Sequence, residues 1–294
     1  MDELSDYLKI NYSKSYITGM EDCNLLLWGV QEENIPKLCT LTIGIEYDPY
    51  NLTAETIKKI LNNKYKTDVA FNRLVDFGSH FSKSSNIALA IIVYPSLRKK
   101  YNTRWEETRT IYNEEKVLFY FTSLSDAKEG SVISGKELRS RIYKYLGKEF
   151  SDCGTSKEKN KKLADYFHMW SRDFLSKHLI KFDIDGFIIS DDKEKGVLIE
   201  IKRSNKPPIP DWKPYSADKP DYELQYSFAK QIDAAFWLLH HEPGQCSDNT
   251  IISFFDIIGV DTSKSKNFLI CSREHLQLPL KGNNSLDKII NSFI

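Results

Sequence analysis

The stretch FDIDGFIISDDKEKGVLIEIKRS, residues 182–204, decides the fold of the second half of the chain. Apolar residues dominate its two ends, 182–189 and 197–203, and a charged segment with a glycine separates them. Two apolar runs joined by a short polar turn predict an antiparallel β-hairpin.

Charged residues interrupt the two predicted strands, and Asp185, Glu200 and Lys202 are the three that bear on function. Because alternate residues of a strand face the same side, Glu200 and Lys202 share one face, and Asp185 lies on the neighbouring strand. Burying such groups in a sheet is costly unless they pair, bind a metal ion or face a cleft. Their convergence on one side of the hairpin predicts a site for a divalent metal ion.

The residues around the hairpin predict an α/β unit with a central mixed sheet flanked by helices. The elements expected there are a helix at 161–178, a helix at 222–241, strands at 251–258 and 267–271, and a terminal helix near 285–292.

The first 150 residues predict a separate α/β or α+β domain. Strands are expected at 24–30, 38–47, 87–94 and 117–122, and helices at 54–65 and 135–146. The polar, aperiodic segment GKEFSDCGTSKEKNK, residues 147–161, is typical of a linker. We therefore expect a recognition, sensing or dimerisation domain at 1–150 and a second domain at 151–294.

Composition limits the function further. The 294 residues hold 41 Lys plus Arg and 41 Asp plus Glu, so the net charge is zero and any nucleic acid must be held by local patches. The longest apolar run, 87–93, is far shorter than the ~20 residues that span a bilayer, so no membrane partner is expected. Five scattered cysteines and the lack of an apolar leader indicate a reduced, cytoplasmic protein.

Asp185-Gly186 followed by Glu200-Ile201-Lys202 resembles the signature of the PD-(D/E)xK nucleases, the restriction-endonuclease-like superfamily. The proline of that name is absent, since Ile184 precedes Asp185. Acid-x-Lys occurs elsewhere in this chain, but only Glu200-x-Lys202 lies in an apolar strand followed by an amphipathic helix. The resemblance covers residues 157–258 and implies a restriction-endonuclease-like core in the C-terminal half.

The resemblance implies a nuclease that depends on Mg²⁺, with Mn²⁺ as a substitute. Asp185, Glu200 and the backbone carbonyl of Ile201 would hold the ion, since Mg²⁺ prefers hard oxygen ligands. Lys202 would orient the attacking water and offset charge in the transition state. Cleavage would leave 5′-phosphate and 3′-hydroxyl ends.

Further candidates lie next to this site. On the helix after the hairpin, Gln225 is preferred over Gln231 as an additional catalytic residue. The helix before the hairpin offers Asp165 and Glu158 as further acids, which are interpreted as solvated charges. The loop after the hairpin mixes cations with aromatic rings, which suits a phosphate backbone or a base, although a rigid surface loop explains it equally well. Its candidate nucleic-acid contacts are Arg203, Lys206, Trp212 and Lys213.

The expected function is a DNA endonuclease of a restriction or phage-defence system, and a ribonuclease remains open. A homodimer is expected, because a two-fold protein matches a palindromic site. The competing hypothesis is a catalytically silent nucleic-acid-binding or interaction module with the same fold. In a third hypothesis the hairpin is accidental, and Asp185, Glu200 and Lys202 do not converge. His240 and His241 are interpreted as a helix C-cap.

Overall fold

Two six-stranded mixed sheets organise the computed structural model, which describes residues 3–20, 22–45, 52–95, 118–124, 129–154, 166–190, 195–204, 211–244, 250–278 and 285–293. The chain divides into two compact units, the first formed by Met1–Gly19 with Ile184–Ile294 and the second by Met20–Asp183. Each unit contains one of the sheets. The predicted α/β class is confirmed.

In chain order the strands are β1 (Tyr16–Ile17), β2 (Cys23–Val30), β3 (Pro36–Ile45), β4 (Ala88–Pro95), β5 (Leu118–Ser123), β6 (Ser131–Ser134), β7 (Leu179–Asp183), β8 (Gly186–Ile189), β9 (Gly196–Arg203), β10 (Ala234–His241), β11 (Thr250–Val260) and β12 (Leu269–Leu278). The seven α-helices of the described residues are α1 (Glu3–Asn11), α2 (Ala54–Thr67), α3 (Val69–Ser85), α4 (Gly135–Leu146), α5 (Tyr166–Phe174), α6 (Lys219–Gln231) and α7 (Ser285–Phe293). A short 3-10 helix, Ser216–Asp218, precedes α6.

The sheet of the second unit has the order β6-β5-β4-β3-β2-β7, and only β3 and β4 pair in parallel. Local capping residues start two of its helices, α2 and α4. The Thr53 hydroxyl accepts a hydrogen bond from the Thr56 amide, and the Ser134 hydroxyl accepts one from the Glu137 amide. Trp28, Phe119 and Trp170 are fully buried in its core, which joins the strands to α4 and α5.

The sheet of the first unit has the order β1-β8-β9-β10-β11-β12, and only β9 and β10 pair in parallel. Helix α6 forms the crossover that a parallel pair requires. On one face of the sheet, Val197 and Ile199 pack in a core with Leu8 of α1 and Ile290 of α7. The opposite face carries Leu198, Glu200 and Lys202, the last of which lies against Tyr222 of α6.

The hairpin predicted from residues 182–204 forms, with β8 and β9 antiparallel and Gly186 opposite Ile199. The prediction of one strand at 182–189 is wrong, because the run breaks at 184–185. Strand β7 pairs with β2 in the sheet of the second unit, whereas β8 belongs to the first unit. An apolar run gives no sign of such a break between sheets.

The helix expected at 222–241 is also wrong in its second half. Helix α6 ends at Gln231, and Asp233 adopts φ 54°, which reverses the chain into β10. His240 and His241 therefore end a buried strand and do not cap a helix.

The boundary between the two units does not fall at residue 150. The chain passes from one unit to the other at 19/20 and at 183/184, because β1 pairs with β8 and because α5 packs into the core of the second unit. The sequence did not predict α1 or α3. Glu158, Asp165 and Lys206 lie outside the described residues. No helix in the described ranges combines the length and the apolar character needed to cross a bilayer.

Candidate functional site

The three charged residues of the sequence motif converge in the first unit. Glu200 and Lys202 lie on one face near the carboxyl end of β9, and Asp185 occupies the link just before β8. Asp185 and Lys202 both lie close enough to Glu200 to shift the pKa of its carboxyl group. This convergence contradicts the geometric expectation of the accidental-hairpin hypothesis, in which the three residues lie apart.

One backbone amide and two side-chain hydroxyls donate hydrogen bonds that fix Asp185 in position. Its Oδ2 accepts a hydrogen bond from the Ile201 amide at 2.8 Å. Its carbonyl oxygen accepts hydrogen bonds from Thr18 Oγ1 at 2.6 Å and from Tyr16 Oη at 3.3 Å. Before β8 begins, the Asp185 carboxylate thus accepts the hydrogen bond from β9 that a neighbouring strand would otherwise accept.

Gly186 allows this arrangement because the Tyr16 ring lies directly against its backbone. A Cβ atom at this position would come within 2.4 Å of the ring. The Asp-Gly pair of the motif therefore combines a fixed carboxylate with the close approach of β1.

Glu200 is the buried carboxylate of the site, with 3% of its side chain exposed. Its Oε1 lies 2.8 Å from Lys202 Nζ, and its Oε2 has no hydrogen-bond partner among the described residues. Burial raises the pKa of Glu200 well above its usual range, and the Asp185 carboxylate raises it further, although Lys202 opposes the shift. A proton or a bound cation would therefore stabilise this carboxyl group.

Lys202 is a cation held among acids. Burial alone would lower the pKa of its ammonium group, but Glu200, Asp218 and Asp185 outweigh this effect and raise the pKa above its usual value. Asp218 Oδ2 lies 3.7 Å from Lys202 Nζ, and the Tyr222 ring centroid lies 5.7 Å from the same atom. Lys202 is therefore a permanent positive charge at neutral pH.

Asp218 and Tyr222 were not anticipated as members of the site. Asp218 precedes Lys219-Pro220 at the start of α6, and an acid before an early proline is a helix-start signal that could have placed it near the end of β9. The Tyr222 hydroxyl is buried without a hydrogen-bond partner in the described residues. Burial raises the pKa of Tyr222, and Glu200 adds to the shift.

Gln225 lies one turn beyond Tyr222 on α6 and is fully buried. Neither its amide nitrogen nor its amide oxygen has a hydrogen-bond partner in the part of the chain that the structure describes. Gln225 is thus not hydrogen-bonded to Asp185, Glu200 or Lys202.

The loop residues that were candidates for nucleic-acid contact divide into different environments. Trp212 is 1% exposed and stacks on His240 with ring centroids 4.1 Å apart, so its ring is not available to a base in this structure. Arg203 Nη1 lies 3.3 Å from Glu3 Oε2 at the surface. Lys213 is exposed, and Tyr215 is 49% exposed.

The donor set offers a metal ion two carboxylates. No group of three or more His, Cys, Asp or Glu side chains in the described ranges is arranged to hold a metal ion. Asp185 and Glu200 nevertheless place like charges side by side, and a bound cation would relieve this repulsion as effectively as a proton.

Comparisons with family models, with curated proteins and with solved structures found no match for this chain.

Proposed function

We propose that this chain is a Mg²⁺-dependent nuclease with a restriction-endonuclease-like core, and that its substrate is DNA in a restriction or phage-defence system. The observation that carries the proposal is the buried Glu200 carboxylate, which lies between Asp185 and Lys202 and has one oxygen without a partner among the described residues. Two carboxylates can hold a divalent ion and a neighbouring lysine can offset charge on a phosphate, which suits metal-assisted hydrolysis of a phosphodiester.

The order of elements supports the same proposal. The PD-(D/E)xK resemblance implies a helix, a strand with the Asp, a strand with (D/E)xK, a crossover helix and a further strand. Asp185 lies just before β8, Glu200 and Lys202 lie on β9, α6 crosses over, and β10 pairs in parallel with β9. The order departs from the resemblance in two respects, because α5 packs into the core of the second unit and the proline of the signature is absent.

Asp185 and Glu200 would hold the ion, and the Ile201 carbonyl is proposed as a third oxygen ligand. Mg²⁺ is commonly held by one or two carboxylates together with substrate phosphates, which fits two carboxylates and no closed cage. When bound, the ion would polarise the scissile phosphate and lower the pKa of a water molecule.

Lys202 has two tasks in this proposal. Its ammonium group orients the attacking water and offsets the negative charge that develops on the phosphate. The water oxygen bonds to phosphorus as the bond from phosphorus to the 3′ oxygen breaks, so the products are a 5′-phosphate and a 3′-hydroxyl. Gln225 is proposed as an accessory residue of the site, since its buried amide lies one turn beyond Tyr222 and has no hydrogen-bond partner among the described residues.

A cleavage assay tests the proposal. Supercoiled DNA, single-stranded DNA and RNA are each incubated with the full chain in Mg²⁺, in Mn²⁺ and in EDTA. We expect cleavage of DNA in either metal and none in EDTA or with Glu200→Gln. The matched control is Glu274→Gln, which removes the same charge from an exposed position on β12. Equal cleavage by the parent and Glu200→Gln would overturn the assignment.

A second candidate is a silent nucleic-acid-binding module. The feature that favours it is the Lys202–Glu200 ion pair, because a lysine already paired with the carboxylate competes with a metal ion. Such a module would shift nucleic acid on a gel and leave it intact in both metals. Cleavage of RNA alone would make the protein a ribonuclease.

The expected homodimer is a separate question, which light scattering on the full chain tests.

A further inference from the structure

A row of polar side chains leads away from the candidate site across the sheet of the first unit. Cross-strand register pairs Lys202 with His240, His240 with Ser253, and Ser253 with His275. Residues paired across neighbouring strands share one face of a sheet. Lys202, His240, Ser253 and His275, here called the polar row, therefore lie on one face.

Arg273 joins the far end of this row. Its register partner is Phe255, which is paired in turn with Leu238 and, through it, with Glu200. Its guanidinium carbon lies 5.0 Å from the Phe255 ring centroid, and its Nη2 donates a hydrogen bond to Ser253 Oγ at 3.3 Å. The guanidinium is therefore held in one orientation before any ligand arrives.

The middle of the polar row is closed to solvent. His240 and Ser253 are fully buried, and Trp212 stacks on His240. Burial, together with His241 and Arg273, lowers the pKa of His240 to about 4, so this ring is neutral at physiological pH. Ser204 Oγ lies 2.9 Å from His240 Nε2 and holds the ring in place.

The two ends of the row are the accessible parts. Lys202 is partly exposed at one end, and Arg273 is partly exposed beside the exposed His275 at the other. Ser253 Oγ lies 3.2 Å from His275 Nδ1, so the hydroxyl links both donors of this end. An oriented guanidinium next to an imidazole presents hydrogen-bond donors in the geometry that suits phosphate oxygens.

We propose that Arg273 and His275 form a second phosphate-binding site, which holds the nucleic-acid backbone at a distance from the scissile phosphate. Three strand spacings of about 4.8 Å separate the ends of the row, or roughly 14 Å in total. A direct separation of this size spans only a few nucleotides of one strand, so the second phosphate lies near the scissile phosphate but is distinct from it. The position of this second phosphate relative to the cleaved phosphate rests on the proposed function.

Binding measured without catalysis tests this site. The full chain is titrated with labelled duplex DNA and with single-stranded RNA in EDTA at several salt concentrations. Arg273→Gln can keep the hydrogen bond to Ser253 while it removes the charge, and we expect it to reduce the slope of log K against log salt by about 1. Arg273→Lys keeps the charge and should retain the slope. Lys288→Gln, on the exposed side of α7, is the matched control and should bind like the parent.

A methylphosphonate walk along the DNA locates the contact. Neutralising one particular phosphate within a few nucleotides of the cut should weaken binding by the parent and leave Arg273→Gln unaffected. Cleavage by the parent with an unchanged slope in a folded Arg273→Gln would overturn the second site and leave the nuclease proposal standing. Binding that depends on Arg273 without any cleavage would keep the site and overturn the nuclease. A parent that binds no nucleic acid would overturn both.

Discussion

Lys202 Nζ lies 2.8 Å from Glu200 Oε1, while the other oxygen of the same carboxylate is buried without a hydrogen-bond partner among the described residues. The lysine therefore neutralises only one side of the glutamate. A proton, a water molecule or a metal ion would stabilise the site most at the other oxygen, Glu200 Oε2, because an unpaired buried carboxylate oxygen is costly.

The raised pKa of Glu200 predicts a specific dependence of stability on pH. The folded chain binds this proton more tightly than the unfolded chain, so the stabilisation is present below about pH 4.5 and is lost as the pH rises toward the folded pKa. Glu200→Gln removes this dependence. The difference in free energy of unfolding between the variant and the parent should therefore shift in favour of the variant from pH 5 to pH 8, as measured by urea denaturation. Glu274→Gln should show no such trend.

Two substitutions of Asp185 separate its structural and chemical roles. Asp185→Ala leaves the Ile201 amide without its acceptor and should lower the free energy of unfolding by about 1–3 kcal/mol. Asp185→Asn retains a side-chain oxygen for this amide and should unfold much like the parent, yet lose cleavage because an amide is a poor ligand for Mg²⁺. Full cleavage by a stable Asp185→Asn would remove Asp185 from the proposed metal ligands.

The buried Tyr222 hydroxyl gives a third prediction. Tyr222→Phe removes an atom that has no partner in the described structure, so stability should stay level or rise. Tyr226→Phe is the matched control, because the Tyr226 hydroxyl donates to the Ile258 carbonyl at 2.6 Å and its loss should cost about 0.5–1.5 kcal/mol. Thermal melts of both variants measure the contrast. Greater destabilisation by Tyr222→Phe would mean that this hydroxyl is hydrogen-bonded.

Trp212 and Tyr215 are close in sequence but should behave differently. Trp212→Ala removes a buried ring that stacks on His240, and it should lower the free energy of unfolding by about 3–5 kcal/mol. Tyr215→Ala changes a half-exposed ring and should alter stability by less than about 0.5 kcal/mol while weakening binding to single strands. Denaturation and gel-shift measurements distinguish the two. Unchanged stability in Trp212→Ala would contradict the stacked arrangement.

The division of the chain predicts which fragment folds. A fragment of residues 20–183 retains β7 and the α5 residues Phe167 and Trp170, and it should unfold cooperatively by itself. A fragment of residues 1–150 lacks these core residues and should be partly unfolded. Circular dichroism melts of the two fragments test this difference, and a stable, cooperative 1–150 fragment would favour the boundary predicted from the sequence.

The sequence predicted the local features of the site better than the path of the chain. Glu200 and Lys202 could be placed on one face because residues two apart in a strand share a face, and because their charges interrupt the apolar sequence of β9. The start of α2 after Thr53 followed from its capping residue. These features depend on residues that are close together in the sequence.

The errors arose where local patterns are ambiguous. Strand β10 is buried along most of its length, so AAFWLLHH shows no alternation and extends a helical pattern equally well. The boundary between α6 and β10 depends on the left-handed conformation of Asp233, which no sequence motif predicts. Arg273 reaches the face of the polar row through pairing of strands that are distant in the sequence, which a single sequence does not reveal.

The hydrogen bonds from Tyr16 and Thr18 to the Asp185 carbonyl have a consequence for biosynthesis. Each joins residues more than 160 positions apart, 169 and 167, with the whole second unit encoded between them. At a typical rate of translation, roughly ten to thirty seconds pass between the synthesis of the two partners. The ribosome must also complete β9 and the start of α6 before Lys202 meets Asp218. We therefore expect Asp185 to be fixed in position only after the whole second unit has been synthesised.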